Sequence, residues 1–450
     1  MSTTAVRNIS LFSDAFGTLA VRILGIGLVF ITTAVLAPML GPHEYGTYSA
    51  GLSLAVVLSS LVPLGTDRVL TRNLATVHCP EDAGAETAVA HISSLLTSLL
   101  VFVLGSLQFW FSDWLPLSVA WYESCMIAAI LFVPVTLTNL RQWIAIPLIG
   151  TRHAVLPEQT ILPILFLLSA GFAYALKLPF TATSAALSFA GLSLVVWLVS
   201  LSNPSIQIAY RTAIRHRPSA REVTCAIQTA LPFVNVSFGG ILLQRCIPLI
   251  TAETCGFQET GQFAVAQQFA GLPAIPLGVA TLVILPRCTR HFRMNETEEA
   301  TRTIRDSATT TFLLAVLVAA IVWVSRPLMP LIFGGSFSRV EEVLPILLLA
   351  TIAEAVSGPS MAVMQAMRIE HTLARCLIGF IPVQLGLVYL FSQWFGLEGA
   401  ALGLLVSRLL WIGLVVRIIY ASSRILSVPS LRFPKFGLNS FRSRHHSSNP

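Results

Sequence analysis

The sequence predicts an all-α integral membrane fold, with twelve transmembrane helices in two six-helix bundles related by a parallel internal repeat. Three observations carry this expectation. Of 450 residues, 55% are hydrophobic and only 11% charged, with a mean hydropathy of +0.77, whereas a soluble chain carries roughly 25% charged residues. Apolar runs recur from Leu19 to Tyr420, each near the ~20 residues a helix needs to cross a ~30 Å hydrocarbon core. A polar turn also occurs twice, as LGPHEYGTYSA from Leu40 and as CGFQETGQFAV from Cys255, in frames 215 residues apart.

Dividing the apolar runs at polar or Gly/Pro-rich breaks places spans near 16–38, 47–66, 90–110, 119–140, 158–177, 183–202, 226–251, 262–285, 308–330, 343–366, 373–393 and 398–420. The third is the least apolar, carrying His91, Ser93, Ser94, Thr97, Ser98 and Ser106. Basic residues test this count independently. With the N-terminus in the cytoplasm, 22 of the 28 Lys and Arg fall in inside segments or near and beyond the last span, and only Lys177, Arg326 and Arg339 fall outside. That asymmetry follows the positive-inside rule and puts both termini in the cytoplasm. The net charge of +7 then reflects topology and attraction to anionic lipid headgroups, not nucleic-acid binding.

The domains follow from the spans: an N-terminal bundle over 1–203, a basic cytoplasmic linker over 204–225, a C-terminal bundle over 226–420, and a basic, Ser-rich, disordered tail over 421–450. Within the tail, Leu431 to Phe441 reads either as solvated chain or as an interfacial anchor. The N-terminal stretch MSTTAVRNISLFSDAFG lacks a charged n-region and cleavage site, so the first span is expected to be retained. Seven cysteines without regular spacing and nine histidines without a ligand motif predict no disulfide framework, metal site or cofactor. The longest outside segment, about 331–342, offers only Arg339, Glu341 and Glu342, too little for an extracytoplasmic catalytic domain, so no enzyme is expected.

The 215-residue offset aligns more than the turn. Gly41, Glu44, Gly46 and Tyr48 fall on Gly256, Glu259, Gly261 and Phe263; Gly25-Ile26 falls on Gly240-Ile241; Leu28 on Leu243; Arg72 on Arg287; and Ala185-Ala186-Leu187 on Ala400-Ala401-Leu402. Six spans per half is an even number, so both halves point the same way, about a two-fold axis along the membrane normal, with substrate handled between them. The glycines of each elbow permit a tight or left-handed turn. Glu44 and Glu259 are placed to accept hydrogen bonds where the helix after each elbow begins.

The elbows, followed by PLGTDRVLTRNLA in the first half and by LIFGGSFSRVEEVLPILLLA and FGLEGAALGLLVSRLLW in the second, resemble the Wzx-type oligosaccharide flippases (polysaccharide biosynthesis proteins) of the multidrug/oligosaccharidyl-lipid/polysaccharide exporter superfamily, over residues 8–420. The resemblance implies a bacterial inner-membrane protein that moves an undecaprenyl-diphosphate-linked oligosaccharide between leaflets by alternating access, for exopolysaccharide, capsule or O-antigen synthesis. Its implied partners are the lipid-linked oligosaccharide, membrane lipids, a proton or cation, and polymerase or export proteins. The chain departs from the family where an acid commonly follows the arginine of span seven: LLQRCIPL has Ile247 there. The alternative is a cation-coupled multidrug or other lipid-precursor exporter of the same superfamily.

Charges inside the spans are the candidate site, since each costs roughly 2.5–3.5 kcal/mol at a helix centre on insertion scales. Arg22, Arg245 and Arg408 would make a positive cavity for an anionic headgroup, because guanidinium forks match diphosphate oxygens bidentately. For Arg22 and Arg245, snorkelling toward headgroups is the competing reading. Arg408 and Glu354 are both central and read either as a structural ion pair or as cavity-facing charges. Glu123 and Glu354 are the candidates for proton or cation coupling. Asp14 and Glu158 read as interfacial or capping groups. Asp67, Arg68 and Arg72 read as an inner gate or headgroup contact, and Pro232, Pro248, Pro273 and Pro276 as kinks or tolerated bends.

Overall fold

The computed structural model describes residues 3–63, 65–66, 87–92, 94–95, 97–98, 119–216, 218–294, 296–367 and 369–423. Most of the third predicted span, the candidates Asp67, Arg68 and Arg72, and the tail from 424 onward lie outside the described residues. The described residues are all α: α1 (Thr3–Leu61), helical residues at 87–92, 94–95 and 97–98, α2 (Val119–Ile149), α3 (Thr151–Leu156), a π-helical turn (Pro157–Ile161), α4 (Leu162–Ala175), α5 (Ala182–Ser200) and α6 (Pro204–Arg215). There follow α7 (Ala220–Arg245), α8 (Ile247–Thr254), α9 (Phe257–Ala270), α10 (Ile275–Arg293), α11 (Thr297–Val324), α12 (Met329–Phe333), α13 (Val340–Val356), α14 (Ser360–Ala366) and α15 (Glu370–Ser423). No strand occurs among the described residues.

Eight helical stretches among the described residues are long and apolar enough to cross a membrane, among them Gly17–Leu61, Phe257–Arg293 and Thr372–Ser423. Two of them hold two predicted spans each. Gly17–Leu61 has 45 residues and would run about 68 Å as one straight helix, more than twice the hydrocarbon core. Gly41 divides it (φ 77°, ψ 166°), and Gly396 divides α15 (φ 62°, ψ −137°). Large apolar side chains such as Leu168, Phe172, Val199, Leu317 and Val324 are exposed, as lipid permits and water does not.

The chain packs as two compact units. The larger comprises Met1–Ala270, Val322–Leu347 and His371–Ser407; the smaller comprises Gly271–Ile321, Leu348–Glu370 and Arg408–Pro450. In the larger unit α1 packs along α9 and α2, and in the smaller unit α10 packs against α14. The matched Ala185-Ala186 and Ala400-Ala401 are all fully buried, the small residues that let transmembrane helices approach closely.

Within the predicted linker, residues 204–215 form α6. Asn203 caps it, its side chain accepting from the Ser205 N–H. Ile206, Ala209 and Ala213 are buried, while Arg211, Ile214 and Arg215 are exposed. This linker is therefore a docked amphipathic helix over half its length, with its apolar stripe turned inward.

Candidate functional site

The elbows are where the two repeats meet in the larger unit. Gly41 and Gly256 both take positive φ, 77° and 89°, so the predicted left-handed turns are present at both. One turn further on, Gly46 and Gly261 lie backbone to backbone. A Cβ on Gly46 would stand 2.8 Å from the Gly261 nitrogen, and a Cβ on Gly261 would stand 3.0 Å from the Gly46 nitrogen. Real Cβ atoms do not come that close to backbone, so only glycine fits either position. Tyr48 and its match Phe263 are both buried beside this crossing.

A second pair of contacts obeys the same offset. The Ser124 hydroxyl donates to the Thr47 carbonyl at 3.2 Å, and the Arg339 N–H donates to Gln262 Oε1 at 2.9 Å. Thr47 plus 215 is Gln262, and Ser124 plus 215 is Arg339. Each elbow is thus tied to the start of the fourth span of its own half. These two contacts share the 215-residue offset although the residues involved differ in identity.

The elbow acids do not cap the helix that follows them, as the sequence suggested. Glu44 Oε2 accepts from the Ala182 N–H at 2.8 Å, at the first residue of α5, and Glu259 Oε1 pairs with the Arg339 guanidinium at 3.2 Å. Their partners are brought in by tertiary packing, across 138 residues for Glu44. Glu123, a coupling candidate, joins Glu44 there: the Thr183 hydroxyl donates to its Oε1 at 3.2 Å. Two carboxylates therefore face the positive end of the α5 dipole, with Thr181 and Ser184 completing a capping box.

The charges predicted for the cavity fall in both units. In the smaller unit, Arg408 and Glu354 form an ion pair at 3.3 Å, their side chains 17% and 30% exposed. In the larger unit, Arg245 closes α7 and is exposed. Arg22 is half-buried in α1, and its Nε is buried without a protein hydrogen-bond partner. Next to Arg22, one turn along α1, Gly25 packs directly on the Gln159 backbone, 2.8 Å from where its Cβ would be. Its sequence match, Gly240, meets nothing within 4 Å of the same point, so that pair of glycines does not share a packing role.

One buried charge pair was not read from the sequence. Arg141, assigned to an inside segment, has a side chain only 1% exposed. Its Nε donates to Glu158 Oε1 at 2.7 Å and its Nη2 to Oε2 at 2.5 Å, and Nη2 also donates to the Ala154 carbonyl. Glu158, read as interfacial or capping, is instead the second half of a bidentate pair. It lies in the π-helical turn Pro157–Ile161, a distortion that often marks functional positions. The sequence signal was present: an arginine and an acid flanking Gly150, which takes φ 84° and joins α2 to α3.

No family model matches the sequence, and no curated protein matches it. Solved structures do match. The fold resembles an inward-facing multidrug resistance MATE family transporter of the MOP superfamily, with a TM-score of 0.65, 16% identity, 91% of this chain and 99% of the other covered. An outward-facing transporter of the same description gives a TM-score of 0.57 at 15% identity over 91% and 96% of the two chains. A mutant MATE transporter from Vibrio cholerae gives 0.55 at 11% identity over 94% and 98%. The chain is therefore a multi-pass, all-α membrane protein with the fold of the MATE transporters of the MOP superfamily.

Proposed function

We propose that this chain is an alternating-access exporter, with its halves 1–203 and 226–420 as the moving bundles and the linker 204–225 between them. The observation that carries this reading is the fold likeness to both inward-facing and outward-facing transporters over 91% of the chain. A repeat of even-numbered halves has its substrate path between the bundles. The fold neighbours are multidrug resistance transporters, which supports an exporter of multidrug type; cation coupling is part of this proposal. Glu354, and Glu123 at the α5 terminus, are the carboxylates through which a proton or cation would act. The test is efflux of ethidium from energised membrane vesicles containing the chain; an ionophore that collapses the cation gradient stops it, and vesicles no faster than controls count against the reading.

A second reading, flipping of an undecaprenyl-diphosphate-linked oligosaccharide in the bacterial inner membrane with both termini cytoplasmic, is favoured by the Arg22 and Arg245 guanidiniums. Neither has a carboxylate partner among the described residues. They suit a diphosphate and repel cationic drugs. Deleting the gene would then leave lipid-linked oligosaccharide in the cytoplasmic leaflet and deprive the polymerase of substrate. Unchanged surface polymer with no lipid accumulation rejects this reading and leaves the first intact.

A further inference from the structure

Polar atoms without protein partners gather at the end of the N-terminal bundle that carries α6. Among the described buried side chains they are Thr87 Oγ1, His91 Nε2 and Ser94 Oγ. Thr87, His91 and Ser94 share one helix face by their spacing. The Tyr210 ring of α6 sits edge-on to His91, with centroids 4.9 Å apart, and 6.2 Å from Trp197 of α5. Tyr210 also packs against Ala90, Ile144 and Ala209, so α6 covers this polar group. Buried polar groups are as a rule hydrogen-bonded, so these atoms are exceptions in this bundle.

The tautomer of His91 follows from its one contact. Nδ1 lies 2.7 Å from the Thr87 carbonyl, and a carbonyl can only accept. Nδ1 therefore carries the hydrogen, and the basic lone pair of Nε2 is left buried without a partner, on a ring that packs against Tyr210 of α6. We propose that His91 Nε2 is a proton-binding site, and that protonation there releases α6 from the N-terminal bundle.

Among the described residues, no carboxylate forms an ion pair with His91 to hold its charged form. Tyr210 of α6 stays neutral, since burial pushes its phenol up to about 12. Arg141 of α2 is itself a cation and bears electrostatically on the same phenol. Glu158 of the π-helical turn is already taken by two hydrogen bonds from Arg141. Helix α5 has no titratable residue at all. On α6 itself Arg211 and Arg215 are exposed cations. At its C-terminal end His216 lies 3.8 Å from Glu222 at the start of α7. A second positive charge beneath a helix held by Ile206, Ala209 and Ala213 opposes docking. Protonation of His91 therefore weakens the docking of α6.

The experiment is hydrogen exchange of the full chain in nanodiscs at pH 7.5 and 5.5, corrected for the intrinsic rate, read on peptides covering 204–215. It requires no substrate, so its outcome is separate from the exporter reading. The expected result is loss of protection on the order of ten-fold at the lower pH, abolished in His91→Gln and kept in His216→Gln. Wild-type protection that does not change with pH overturns the proposal. So does a response in His91→Gln equal to wild type, or one lost only in His216→Gln.

Discussion

Gly46 and Gly261, one from each half of the chain, pack so closely that a Cβ on Gly46 would meet the Phe257 carbonyl oxygen at 1.8 Å and one on Gly261 the Pro42 carbonyl oxygen at 2.0 Å. They are equivalent positions at the 215-residue offset of the two elbows. The closest approach needs glycine on both sides.

Gly46→Ala and Gly261→Ala are each expected to lower the thermal midpoint of the detergent-purified protein, because overpacking a tight contact costs about 1–3 kcal/mol. Gly27→Ala, where nothing lies within 4 Å, is the matched control and should hold or raise the midpoint, alanine being the better helix former. Equal midpoints for all three variants would show that the crossing is not tight.

Removing either partner of the Arg141–Glu158 pair leaves an uncompensated charge in a buried place, a loss of about 3–5 kcal/mol. Arg141→Ala and Glu158→Ala should each reduce the yield of folded, monodisperse protein, and Arg141→Met combined with Glu158→Leu should recover much of it. A double variant as damaged as the sum of the singles argues against direct coupling.

Arg408→Ala is expected to abolish export while the protein still inserts. Glu354→Ala, which strands Arg408 in an apolar setting, should be at least as damaging to stability. Transport assays beside midpoints separate a structural pair from a functional one: if Arg408→Ala combined with Glu354→Ala restores the midpoint but not export, the charges act in transport. Normal export by Arg408→Ala removes this residue from the mechanism.

Glu44→Ala removes an acceptor from the Ala182 N–H and a negative charge from the α5 terminus. The cost should be about 0.5–2 kcal/mol, the usual value of an N-terminal cap, and Glu44→Gln should recover part of it. Glu123→Gln tests its neighbour: an unchanged ion dependence of transport would leave Glu123 as a helix-terminus group alone.

Much of this architecture is legible in one dimension. Apolar length and scarce charge dictate membrane-spanning helices, because an unpaired backbone group in hydrocarbon is too costly for any open alternative. The glycine frames at Gly41 and Gly256 are readable because positive φ excludes most other residues. The buried Ala185-Ala186 and Ala400-Ala401 pairs are readable because close helix contact demands small side chains. Arg408 and Glu354 were readable as a candidate pair, and they do pair, but other partners were not: Arg141 looked like one more cytoplasmic arginine, and Glu44 looked like a local cap.

The sequence by itself determined the solvent of this protein, the places where its helices must break, and the presence of a repeat. These depend on composition and on local backbone sterics, which adjacent residues settle among themselves. Only the tertiary structure decided that the two elbows cross at Gly46 and Gly261, that Glu44 reaches α5, and that Arg408 meets Glu354. A side chain's partner lies at the far end of a loop whose closure depends on every helix between, so these pairings exist only once the whole chain has packed.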